Sequence, residues 1–214
     1  DPDPKTRRAQ LDQLQHHADK AVYSETIKML KSGAAVPARG RLPLVDLAIP
    51  ALRSLSAPQY AAFRRNVKVL VEADRSIDLF EWTLQRILLR HLESHFTKAA
   101  PPRIAYYALN RLASECEVVL SMLAYVGHKK TDDAARAVEV AAVHLNLPKL
   151  TLLPTERCSL GELDNALEKL DLVAPRLKRQ VLSSCVACVT ADHEVTDREV
   201  ELLRAVCDAL GCPM

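Results

Sequence analysis

Two short acidic stretches carry the residue types best able to do chemistry in this sequence. The first places Asp74, Ser76, Asp78 and Glu81 within eight residues, and the second places Asp192, Glu194, Thr196 and Glu199 likewise. Oxygen ligands two residues apart on a loop are the pattern by which Ca²⁺ and Mg²⁺ are held. On that reading Asp74, Asp78, Glu81, Asp192, Glu194 and Glu199 are weak divalent-metal ligands. The same residues carry a second reading. Asp78-x-x-Glu81 and Thr196-x-x-Glu199 have the spacing of capping boxes, in which two side chains satisfy the open N–H groups of a helix start. Ser159-x-x-Glu162 has the same spacing, and Ser56 precedes Ala57-Pro58 as an N-cap, with proline in the first turn where its missing N–H costs nothing. The loops are short and lack the turn glycine of a Ca²⁺ loop, so capping is expected to dominate.

The remaining candidates point to structure rather than catalysis. His91-Leu-Glu-Ser-His95 has two His four apart, but Glu93 lies about 200° around the helix from His91 and cannot serve a zinc held by both. His16 and His17 are adjacent and point to different faces. Cys185-x-x-Cys188 lies among Val181, Leu182, Val186 and Val189, and neither Cys207 nor Cys212 supplies a second paired motif, so a four-ligand zinc site is not completed. All six Cys are expected to be reduced, small core residues of a cytoplasmic protein. The sequence contains no nucleophile elbow, phosphate-cradling loop or Ser-His-Asp context. Arg64-Arg65, Lys129-Lys130 and Lys178-Arg179 read as solvated helix faces, with contact to anionic headgroups as the alternative.

These residues must be positioned by helices. Only 5 of the 214 residues are Gly, which leaves little for tight β-turns, and apolar residues recur three and four apart throughout. Apolar residues make up 49% of the chain and charged residues 26%, a globular balance that excludes disorder as the main state. The net charge of +2 argues against a dedicated nucleic-acid binder. No run approaches the ~18 apolar residues of a membrane span. Asp1-Pro-Asp-Pro4 shows neither an initiator Met nor a signal-peptide pattern, as expected of a segment cut from a longer chain. The predicted elements are one long helix or two abutting ones over 4–32, then helices over 43–55, 57–73, 78–95, 103–126, 131–145, 159–171, 175–190 and 196–210. The expected fold is an all-α bundle.

A repeat organises the prediction. Val71–Leu92 and Val189–Leu210 align at a spacing of 118 residues with seven identities, among them Asp74/Asp192, Glu81/Glu199 and Leu84/Leu202. Each unit reads as helix, acidic loop, helix. The division expected is an N-terminal helical segment over 1–40, a first half over 41–127 and a second half over 128–214, joined in one compact domain with a shared core.

The phrase Ala-Asp-x-x-[Ile/Val]-x-x-x-Glu-x-x-Leu within the repeat resembles the signature of the tellurite-resistance protein B (TerB) family. Further stretches resemble the cytoplasmic C-terminal region that follows the protease domain in bacterial membrane zinc metallopeptidases of family forty-eight, the CAAX prenyl protease and HtpX group. They are Arg41-Leu-Pro-Leu-Val-Asp-Leu-Ala-Ile-Pro-Ala-Leu-Arg53, Ile77-Asp-Leu-Phe-Glu81, Arg90-His-Leu92, Val119-Leu-Ser-Met-Leu-Ala124 and Asp208-Ala-Leu-Gly-Cys-Pro213. The resemblance implies two TerB-like helix-loop-helix halves. It also implies a non-catalytic accessory, regulatory or interaction domain of a membrane-bound zinc metalloendopeptidase. The parent's zinc and HExxH would then lie outside this segment, which itself would hold no cofactor. Its partners would be its own membrane protease domain and a further protein, with possible membrane-surface contact and no nucleic acid, at the cytoplasmic face of the bacterial inner membrane. TerB-like domains bind divalent metal near such acidic residues, so the alternative is a free-standing TerB-like metal-binding stress-response protein.

Overall fold

The computed structural model describes residues 4–32, 36–71, 78–97 and 103–212. The chain is all-α and divides into two compact units, residues 1–99 and 100–214. No helix among the described residues is long and apolar enough to cross a membrane.

The first unit holds α1 (Pro4–His17), α2 (Lys20–Lys31), α3 (Ala38–Arg53), α4 (Ala57–Val71) and α5 (Leu79–Phe96). The apolar stripe over 4–32 is cut in two at Ala18-Asp19. There the Asp19 side chain accepts from the Ala21 N–H and caps α2, a local bond that competes with helix continuation. α3 begins five residues earlier than the sequence suggests and runs through Pro43 and Pro50. Leu42 and Ile49 are buried against Ile87 of α5, with Val45 and Phe80 beside them. That burial favours the helix despite the lost hydrogen bonds of two prolines. α1 packs on α4, and α5 packs on both α3 and α4. Tyr60 stacks on Phe96 with ring centroids 4.2 Å apart.

The second unit is built around α6 (Ala113–Gly127), which packs against α7 (Thr131–His144), α8 (Leu160–Leu170), α9 (Pro175–Val189) and α10 (Asp197–Ala209). α6 buries Cys116 and every residue from Val118 through Ala124, as a central helix must. α7 presents Ala134, Ala137 and Ala141, all fully buried, and these small residues let α9 approach closely. The Ser184 hydroxyl donates to the Ala141 carbonyl at 2.7 Å across that contact.

Two expectations are corrected here. The helix predicted over 103–126 begins only at a 3-10 turn, Leu109–Leu112. Before it the backbone is extended, and Ala105 and Tyr106 donate to the Leu172 carbonyl while Ala174 donates back to Tyr106. The boundary expected at 127/128 lies instead at 99/100. α6 buries its surface against the helices that follow it, so it belongs with them. The two members of the repeat accordingly fall in different units, α4–α5 in one and α9–α10 in the other.

Leu120 is 1% exposed on α6, whereas Leu47 on α3 is 76% exposed. Leu120→Ala should therefore cost about 2–5 kcal/mol through transfer and cavity terms. Leu47→Ala should stay within about 0.5 kcal/mol. Urea denaturation of the two variants checks both numbers.

Candidate functional site

In the first acidic stretch, residues 72–77 lie outside the described residues, and with them the candidate ligand Asp74 and its neighbour Ser76. Asp78 and Glu81 form a reciprocal capping box at the start of α5. The Glu81 N–H donates to Asp78 Oδ1 at 2.8 Å and the Asp78 N–H to Glu81 Oε2 at 3.4 Å. The second oxygen of Glu81 is reached from α1. Gln10 Nε2 donates to Glu81 Oε1 at 2.9 Å and to the Leu70 carbonyl at 3.1 Å. One amide thereby ties the first helix to the end of α4 and the start of α5. Nothing in the spacing of the sequence marks Gln10 for this task.

The second stretch repeats the box at the start of α10. Both the Thr196 N–H and its hydroxyl donate to Glu199 Oε2 at 2.8 Å, and the Glu199 N–H donates to Thr196 Oγ1 at 3.2 Å. Glu199 is 1% exposed. Its Oε1 has no hydrogen-bond partner and presses on the backbone of Gly127 at the end of α6. A Cβ placed on Gly127 would lie 1.9 Å from that oxygen. The glycine at the end of α6 is thus required by a close approach. Ser159 caps α8 by accepting from the Glu162 N–H at 3.2 Å. Ser56 caps α4 together with Gln59, whose Oε1 accepts from both the Ser56 N–H and hydroxyl. The Ser-x-x-Gln spacing at 56–59 was a legible signal for that partner.

Asp192 and Glu194 sit on the turn between α9 and α10, where His193 takes the left-handed conformation (φ 64°). Asp192 Oδ1 accepts from the Glu194 N–H at 3.0 Å, and its Oδ2 lies 3.4 Å from Nε2 of the buried His128. The His128 Nδ1 faces the Ala124 carbonyl at 3.0 Å. A carbonyl and a carboxylate both only accept, so both contacts are hydrogen bonds only when the ring carries two protons. His128 and Asp192 line a cleft of about 370 Å³ together with Ala137, Val140 and the Asp133–Arg136 ion pair. The carboxylates of Asp192 and Glu199 thus reach adjacent residues at the end of α6, His128 and Gly127. Among the described residues no three His, Cys, Asp or Glu side chains come together as a metal-holding group.

Other candidates make local surface contacts or lie in the core. Glu93 pairs with Arg64 at 3.4 Å, and the His95 ring meets the Phe96 ring edge-on. Lys178 pairs with Asp171, so one member of that basic doublet is held within the unit. All six cysteines are free. Burial pushes the thiols of Cys116 and Cys188 up to about 12 and that of Cys207 to about 11, and raises that of Cys185 well above its ordinary value. A thiol held in its neutral form is a poor nucleophile and a poor metal ligand. The Cys188 Sγ instead donates weakly to the Leu120 carbonyl at 3.7 Å.

Comparison with protein-family models, curated proteins and solved structures yields no match.

Two outcomes follow from this geometry. Gly127→Ala should destabilise by about 1–3 kcal/mol, the usual range for forced overpacking. Glu199→Ala should cost about 0.5–2 kcal/mol as a lost cap. The double variant should lose less than the sum, because removing the carboxylate vacates the space the new methyl needs. Chemical denaturation of the four proteins measures the coupling, and simple additivity would contradict the contact. For the thiols, the raised values keep Cys116, Cys185, Cys188 and Cys207 protonated at pH 8. An alkylating reagent followed by mass spectrometry should modify the part-exposed Cys158 and Cys212 first, and the other four only on unfolding.

Proposed function

We propose that this chain is a non-catalytic accessory region that works through its surfaces, and that it belongs to a membrane zinc metalloendopeptidase as its cytoplasmic TerB-like tail. Two lines support the reading. The stretches from Arg41 to Arg53 and from Ile77 to Leu92 resemble such tails. The observation that carries it is the use made of the acidic repeat. Three of the described carboxylates that could have formed a site are engaged at helix starts and turns, Glu81 by Asp78 and Gln10, Glu199 by Thr196, and Asp192 by the Glu194 N–H and His128. A carboxylate closed by backbone N–H groups organises a helix end.

The test has two parts. The gene upstream of Asp1 should encode hydrophobic spans and an HExxH helix; a start codon within a few residues of Asp1 overturns the tail reading. The melting temperature of the chain should be the same with and without millimolar Ca²⁺ or Mg²⁺. A metal-dependent rise, following RT ln(1 + [L]/Kd) and abolished by Asp74→Ala or Glu81→Ala, would favour the free-standing metal-binding protein instead.

A further inference from the structure

We propose that α2 is an in-plane docking helix for an anionic lipid surface. The inference rests on α2 itself and stands apart from the reading above.

α2 is a 12-residue helix in which no residue is buried, and its main packing partner is α1. At 100° per residue, Val22, Tyr23, Ile27, Met29 and Leu30 fall within an arc of about 160°. An arc of that width is what a helix normally turns toward a core. Here it is largely in solvent: Met29 is 74% exposed, Leu30 48% and Val22 46%. Short helices draw most of their stability from burying such a face. The structure supplies too little cover for this one.

Charge decides between the possible covers. The opposite arc carries Lys20, Lys28 and Lys31 against Glu25, and Lys28 pairs with that glutamate on the surface. Lys20 and Lys31 border the apolar arc on the side of Ile27, so their aliphatic stems extend the apolar band while their ammonium groups reach past it. The whole unit is positive. Residues 1–99 carry 16 Lys and Arg against 11 Asp and Glu, whereas residues 100–214 carry 13 against 16. The near-neutral total hides a cationic first unit. Leu44 and Leu47 of α3 add exposed apolar surface to the same unit. A wide apolar face bordered along one edge by lysines, on a cationic body, is the pattern of a helix that lies in the headgroup boundary. A partner helix would be met by a narrower seam.

Sedimentation of the intact chain with sucrose-loaded vesicles tests this. Vesicles containing about one third phosphatidylglycerol in phosphatidylcholine should bind it, and pure phosphatidylcholine should bind it far less, since juxtamembrane lysines act through the anionic surface potential. High salt should release it. Met29→Glu and Leu30→Glu should each weaken binding about tenfold or more by placing a charge in the inserted face. Lys20→Glu and Lys31→Glu should each weaken it about fivefold or more. All four sites are on the surface, so melting temperatures should be unchanged, and thermal melts control for folding. Absence of binding at millimolar lipid overturns the proposal. So does binding that survives Met29→Glu and Leu30→Glu, which would be attraction of the cationic unit without insertion. A dimer in sedimentation velocity that Met29→Glu disperses, without lipid binding, would assign the face to a second copy of the chain instead.

Discussion

The carboxylate of Glu199 sits where three segments of the second unit converge, and their arrangement depends on it. One oxygen takes two hydrogen bonds from Thr196 and so defines where α10 begins. The other lies against Gly127 and so defines how closely the end of α6 can approach. Cys188 of α9 feels the same charge, which adds to burial in holding its thiol protonated. A group this deeply buried is expensive unless its polar atoms are satisfied. The capping box satisfies one oxygen fully, and the surroundings of the other are fixed by a residue without a side chain. The start of α10, the end of α6 and the position of the intervening turn are therefore not independent choices.

The first unit meets the same requirement differently. Glu81 also offers one oxygen to its own helix start, but its second oxygen receives the Gln10 amide from α1. A repeat that conserves the cap within one chain thus leaves the second oxygen to local circumstance. In one unit it recruits a distant helix, and in the other it excludes a methyl group. The difference extends to the cores. α6 is enclosed by four helices, whereas the first unit leaves one of its helices, α2, with no buried residue.

Much of the fold was legible in the sequence because helix ends are written locally. Asp78, Ser159, Thr196 and Pro175 mark helix starts by chemistry that acts over three or four residues, and they stand where that chemistry requires. What was not legible depends on partners far along the chain. The extended stretch before Leu109 looks helical by composition, yet its backbone bonds go to Leu172 and Ala174. The length of α3 depends on burial against Ile87, which outweighs two prolines. Gln10 and His128 carry no local signature at all, since an amide in a helix and a histidine after a glycine are ordinary. At the two acidic stretches the capping-box spacing of Asp78 with Glu81 and of Thr196 with Glu199 was legible, because it acts over three residues. It could not show that the free oxygen of Glu199 meets Gly127, because that contact spans 72 positions.

The extended segment at 103–108 carries a lesson for anyone dissecting the chain. By helix boundaries alone, a fragment of the second unit would start at the first turn of α6. Such a fragment would lack the short strand-like tether that bonds to the α8–α9 connection, leaving the Leu172 carbonyl and the Ala174 amide without their partners. The natural edge of the second unit lies upstream of its first helix, at a stretch of backbone that has no helical character and no marked sequence pattern. A fragment beginning at or before Arg103 keeps that clasp intact.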